Sequence, residues 1–175
     1  MKRYQQESIA MTGLWVGLSV RKNWHEIYHV LESWFPTLVI TAVDWESIET
    51  EELKALCAQN SDVIFSVSQN ESEFPTVIHF DLFPNPQDEA IIMPTMIELA
   101  RRFSVVLDCD SICGGSGYGD SDAPFWSIVW HGGQAFLADN CNTAFADGAD
   151  NPVKIVRALN LPVYRLDQAG RLMKC

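Results

Sequence analysis

Apolar and polar positions along this chain alternate between two periods, one near two residues and one near 3.6, and the switches between them mark the elements. The apolar run within residues 13–20, Gly13-Leu-Trp-Val-Gly-Leu-Ser-Val20, reads as a first strand. Asn23 then stands where a helix cap belongs, Glu26 follows three residues later, and Trp24, Ile27, Tyr28, Leu31 and Trp34 keep helical spacing, predicting one buried face. Pro36 ends that helix, because the residue before a proline is pushed out of the helical region. The β-branched stretch Thr37–Val43 is expected to be a strand. A second helix is predicted over Ser47–Gln59, with Ile48, Leu53 and Leu56 inward and a Glu-rich first turn that suits the helix dipole.

Val63–Val67 and Thr76–Phe83 read as paired strands joined by the polar loop Gln69-Asn-Glu-Ser-Glu73, and Pro84-Asn-Pro86 as a turn. Pro94 suits the first turn of a helix carrying Met96, Ile97, Leu99, Ala100 and Phe103, followed by a strand over Ser104–Asp108. Asp110–Pro124, rich in Gly, Ser and Asp, is expected to be a loop. Phe125–Trp130 and Gln134–Ala138 form a hairpin through His131-Gly-Gly133. Asn151–Asn160 reads as a short helix or strand, and Leu161–Leu166 as a late strand before Gly170. An order β-α-β-α-β-β-α-β-β-β, with several short strand–strand connections, predicts an α+β fold: a mostly antiparallel or mixed sheet with about three helices. Phe-Pro-Thr occurs at Phe35–Thr37 and again at Phe74–Thr76, each time before a strand, and reads as a shared entry turn.

The composition fits one domain over residues 1–175. Hydrophobic residues make up 47% and charged residues 20%, enough apolar material for one core. No apolar run is long enough to span a bilayer, and the first residues, MKRYQQESIAMTG, lack the apolar centre of a secretory signal, so a cytoplasmic protein is expected. The charge pattern sharpens the picture. Between Asn23 and Pro152 lie 21 of the 23 acids but only three bases, Lys54, Arg101 and Arg102, a formal −18, while the basic termini, expected to be the less ordered parts, carry +7. Such a body repels nucleic-acid phosphates and anionic lipid and attracts basic proteins. The five cysteines, Cys57, Cys109, Cys113, Cys141 and Cys175, contain no CxxC pair, so reduced thiols are expected.

His25-Glu26-Ile27-Tyr28-His29 fits H-E-x-x-H, in which two imidazoles one helical turn apart share a zinc ion and the Glu acts as base on bound water. These residues resemble the active-site helix of the zincin metallopeptidases, which implies a zinc-dependent hydrolase with His25 and His29 as ligands and Glu26 as the catalytic base. The longer metzincin pattern is not met, since Glu32 and Phe35 stand where it needs Gly and His. A gluzincin-type third ligand would have to come from Glu49, Glu51 or Glu52, and the two histidines fall outside the apolar stripe of their helix. The loop Gly114-Gly-Ser-Gly-Tyr-Gly119 matches neither a phosphate-binding loop nor a nucleophile elbow, Asp108-Cys-Asp110 only begins like a calcium loop, and Cys141 with His131 and Asp139 carries no thiol-protease signature.

Of these features the acidic interior weighs most. The segments Met96-Ile-Glu-Leu-Ala-Arg-Arg-Phe-Ser-Val-Val-Leu-Asp108 and Pro124-Phe-Trp-Ser-Ile-Val-Trp-His-Gly-Gly-Gln-Ala-Phe-Leu-Ala-Asp139, in a small acidic chain, resemble the immunity proteins with which bacteria block their own toxins. That resemblance implies one-to-one inhibition of a basic toxin by capping or plugging its active site. The chain is therefore expected to be non-catalytic, with no cofactor and neither nucleic acid nor membrane as partner. Its partner-binding residues are expected to be Glu71, Glu73, Asp108, Asp110, Tyr118, Asp120 and Asp122, with Tyr118 as the aromatic tip of a mobile acidic loop.

Overall fold

The computed structural model describes residues 12–48, 50–85, 88–120 and 125–173, so Glu49, Asp122 and, of the basic termini, Lys2, Arg3 and Lys174 lie outside the described residues. The elements run β1 (Leu14–Leu18), α1 (Trp24–Trp34), β2 (Ile40–Ala42), α2 (Glu51–Asn60), β3 (Val63–Gln69), β4 (Thr76–Leu82), α3 (Glu89–Leu107), β5 (Ser111–Gly114), β6 (Trp126–His131), β7 (Gln134–Asp139) and β8 (Lys154–Leu159). The strands form one eight-stranded sheet in the order β2-β3-β4-β1-β5-β6-β7-β8. Only β2 and β3 run parallel, with α2 as their crossover; the other neighbours are antiparallel. The fold is α+β with a mixed sheet and, among the described residues, three helices. None of these helices is long and apolar enough to cross a membrane.

Alternation along the strands gives the sheet two unlike faces. Leu14, Val16 and Leu18 of β1, Phe65 of β3, Ile78 and Phe80 of β4, Cys113 of β5 and Ile128 and Trp130 of β6 join one core. Into it α1 puts Ile27 and Leu31, and α3 puts Ile97, Ala100 and Phe103. On the second face a smaller cluster of Phe74, Ile112, Val129 and Ala138 is covered by the segment after β7, whose Phe145 ring lies 5.6 Å from those of both Trp15 and Phe74.

Asn23 caps α1 as its sequence predicts. Its side chain accepts from the Glu26 N–H at 3.1 Å, while the Glu26 carboxylate accepts from the Asn23 N–H at 3.0 Å. Ile27 and Leu31 are fully buried, but Trp24 is exposed and stacks on His25. The hairpin also forms as read: Gly132 and Gly133 take φ of 54° and 80°, the left-handed pair that a tight two-residue turn needs. The first Phe-Pro-Thr leads into a strand of only three residues, β2, whereas the second enters β4 directly.

Four expectations are corrected. Residues 104–107 are the last turn of α3, not a strand: Phe103, Ser104 and Leu107 continue the buried helical stripe, while Val105 and Val106 face solvent. The helix begins at Glu89, capped by Asp88, so Pro94 lies inside it rather than in its first turn. The glycine-rich stretch after Asp110 contains a strand, β5, inserted between β1 and β6 with Ser111, Ile112 and Cys113 buried. The expected strand over Leu161–Leu166 is absent apart from one bridge, Leu166 to Leu172; the edge of the sheet is β8.

One polar group stands inside the α3 side of the core. Glu98 is 1% exposed and receives both neighbouring arginines: Arg101 Nε at 2.8 Å and Arg102 Nε at 2.8 Å. Arg102 also donates to the Leu166 carbonyl at 2.7 Å and holds its guanidinium 5.8 Å from the Trp34 ring centroid, so one carboxylate ties α3 to α1 and to the C-terminal tail. The arginine side chains keep 37% and 20% of their surface exposed, so removing Glu98 costs the charged hydrogen bonds rather than stranding a buried ion. Glu98→Ala is expected to lower unfolding stability by about 1.5 kcal/mol in urea titration. A loss below about 0.5 kcal/mol, the size of an ordinary surface change, would refute the clamp.

Candidate partner-binding surface

The structure divides the acids expected to meet a partner. Glu71 is exposed and pairs with Arg21 at 3.1 Å. Asp108 is the left-handed cap of α3, and Asp110 pairs with His131 at 2.7 Å while its backbone N–H donates to Ser19 Oγ. These three gather at the end of the sheet where β1 leaves it. Tyr118 and Asp120 lie beyond the other end of β5, roughly 13 Å away along four strand residues. Glu73 is occupied by the Val153 N–H, and Asp122 lies outside the described residues. Tyr118 is no projecting tip. Its ring packs against the main core and shares a hydrogen bond with Tyr164, its carbonyl accepts from Arg157, and burial pushes its hydroxyl pKa up to about 12.

On α1, His25 lies over the Trp24 ring with centroids 3.4 Å apart, and His29 Nδ1 is 3.6 Å from a Glu32 oxygen. Glu26 is engaged in the cap and in a 2.8 Å bond from Lys22 Nζ. Among the described residues no group of three His, Cys, Asp or Glu side chains is placed to hold a metal ion. Burial raises the Cys109 thiol to about 11 and moves that of Cys113 upward as well, so these two stay protonated. His131 and Cys141 stand at opposite ends of β7, so they form no nucleophile–base pair.

A more coherent surface lies where the sequence predicts buried side chains. Lys54, Cys57 and Ala58 form the body-facing side of α2, and the helix has no fully buried residue. Leu53 and Leu56, one turn apart on the outer side, are 50% and 54% exposed. Val39, at the entry to β2, is equally open and is tied to the far end of the crossover, its N–H donating to Asp62 at 2.8 Å and its carbonyl accepting from the Asp62 N–H. Asp44, Glu46, Glu51, Glu52 and Asp62 are all exposed around this corner, and its Lys54 is paired with Glu51 at 2.9 Å. An apolar centre within a charged rim is how binding surfaces are commonly organised. The sequence pattern predicts these leucines inward, but α2 has no buried residue, and Leu53 and Leu56 face solvent instead.

Comparison with protein-family models, with curated proteins and with solved structures finds no match for this chain.

The capping role of Glu26 has a pH signature. The bonds from Lys22 and from the Asn23 N–H hold its pKa below the ordinary 4.5. On acidification the unfolded chain therefore takes up this proton first, so the stabilisation is present above pH 4.5 and is lost as pH falls through the lower folded-state value. Glu26→Gln is expected to unfold at lower urea than the parent near neutral pH, and the difference is expected to close as pH falls below 4.5 and through the lower folded-state value. A difference that stays constant would remove the carboxylate from the cap.

Proposed function

We propose that this chain is a non-catalytic acidic binding protein that neutralises a basic protein partner, acting in the cytoplasm as an immunity protein does on its cognate toxin. The observation that carries this reading is the pairing of cations. All three bases of the acidic interior are bound by carboxylates of the same chain, Lys54 by Glu51 and both Arg101 and Arg102 by Glu98. The surplus of acid therefore remains for the surface, and the α2 corner presents it beside exposed Leu53, Leu56 and Val39.

In this reading the carboxylates steer the encounter over about a Debye length, and the leucines lose water on contact and slow dissociation. The zinc-hydrolase alternative has the sequence of residues 25–29 behind it but no favouring contact, since Glu26 already serves the cap.

The test is capture from the native cell extract at about 0.15 M salt, where exposed charges interact over roughly 8 Å. The expected product is a basic protein held one-to-one. The Glu46→Lys/Glu52→Lys pair is expected to slow its association about tenfold and flatten the salt dependence, and Leu56→Ser to speed its release. Retention of no basic protein, or an association rate indifferent to both reversals, would overturn the reading.

A further inference from the structure

The second face of the sheet is only half covered. The segment after β7 lies over the β1–β5–β6–β7 part, and beside it lies a shallow recess, largely open to solvent, of about 310 Å³ and lined by Trp15, Val77, His79, Asn140, Phe145 and Ala146. Trp15 and His79 are directly paired across β1 and β4, and they form the floor; Phe145, tilted 39° to the Trp15 indole, rises as a wall. The size is at the lower end of small-ligand sites.

The chemistry of the lining points one way. None of the six lining residues is Lys or Arg. Asn140 is 8% exposed, and although its amide nitrogen donates to Ser127 Oγ at 2.8 Å, its Oδ1 is buried without a hydrogen-bond partner. An unsatisfied buried acceptor costs free energy until a donor reaches it. The two ring faces are electron-rich, and indole is the strongest cation-binding ring among the side chains. Partial burial holds the His79 pKa below the ordinary imidazole value, against the opposing pull of Asp81, so the ring contributes no competing positive charge at neutral pH. Its Nε2 faces Ser68 Oγ at 3.3 Å, and Asp81, two residues along the same strand face, accepts from Trp45 Nε1 at 2.7 Å. Acceptors and π faces are present, and the missing component is a cationic donor.

We propose that this cavity receives the side chain of an arginine presented by the basic partner, its guanidinium lying against Trp15 and Phe145 and donating to Asn140. The proposal rests on the reading above for the source of the arginine, and on the cavity alone for the chemistry. None of its lining residues belongs to the α2 corner, although Trp45, between Asp44 and Glu46, reaches Asp81 two residues along the strand from His79, so a partner would engage one acidic region and one recess beside it.

The experiment titrates the full chain with N-acetylarginine amide and follows the Trp15 indole and His79 ring by NMR. N-acetylcitrulline amide, the neutral analogue, and methylguanidinium serve as the comparison probes. Saturable shifts confined to the lining residues are expected, with citrulline about fivefold weaker because the cation–π attraction is lost. His79→Lys, which places a cation in the floor, is expected to abolish them while the rest of the spectrum is retained. Equal binding of citrulline, or shifts in His79→Lys matching the parent, would overturn the cationic socket. Methylguanidinium binding as tightly as the amino-acid amide would make a free small cation the ligand and overturn the assignment to a partner's arginine. Leu56→Ser, which alters partner release without changing charge, leaves this titration untouched, so failure of the partner reading and failure of the socket are separately visible.

Discussion

A carboxylate buried in an apolar core must find positive charge, and in this molecule Glu98 draws two of the three bases that the acidic interior possesses. The arrangement stabilises by avoiding a penalty rather than by adding attraction, because the alternative to pairing is an isolated ion in low dielectric. Its consequences reach well beyond α3. Arg102 carries the connection onward to the Leu166 carbonyl, which anchors the tail after β8, and to the face of Trp34 on α1. Three parts of the chain that share no sheet hydrogen bond with one another are thereby held in register. The same pairing bears on the surface, because it commits both arginines of α3 to one internal acid.

The sequence is most legible where local chemistry and tertiary demand agree. The capping pair at Asn23 and Glu26 and the Gly132-Gly133 turn each specify a backbone geometry within four residues, and both form as read. Legibility fails where tertiary contact overrides a local preference. Val105 and Val106 favour strand by their branching, yet they occupy the outside of a helix whose inner stripe of Phe103, Ser104 and Leu107 is set by the sheet beneath. β5 fails for the opposite reason. Four residues between Asp110 and Gly115 carry too few side chains to show a period, and the strand exists because β1 and β6 offer edges on both sides.

The same distinction governs the functional surface. Counting charges along the chain identifies an excess but not which carboxylates are already engaged, and three of the six acids expected to face a partner have contacts within the chain: Glu71 with Arg21, Glu73 with Val153 and Asp110 with His131. The α2 leucines invert the usual inference. Helical spacing of apolar residues shows that a face exists, and only the neighbouring elements show whether the chain itself covers it. Here the crossover joins the edge strand β2, three residues long, to its parallel neighbour β3, and the helix presents Leu53 and Leu56 outward.

The two faces of the sheet are unequal for a reason that bears on how a partner could be held. All the long helical burial lies on one side, so the other must be closed by whatever the loops supply, and the segment after β7 supplies one ring, Phe145, over Gly17. A side chain at residue 17 would meet Ile112 and Phe145 at once, which fixes how close that segment lies and therefore where its cover stops. Beyond that limit the strands β3 and β4 expose Ser68 and His79 rather than aliphatic residues. An uncovered apolar face would be a hazard for aggregation, whereas a face floored by hydroxyl and imidazole groups tolerates water and still offers a socket when a donor arrives. In the proposed reading, an acidic exterior that gathers a basic molecule and a neutral aromatic recess that takes one of its side chains would be complementary devices: the first acts at a distance and is screened by salt, the second acts on contact and is not.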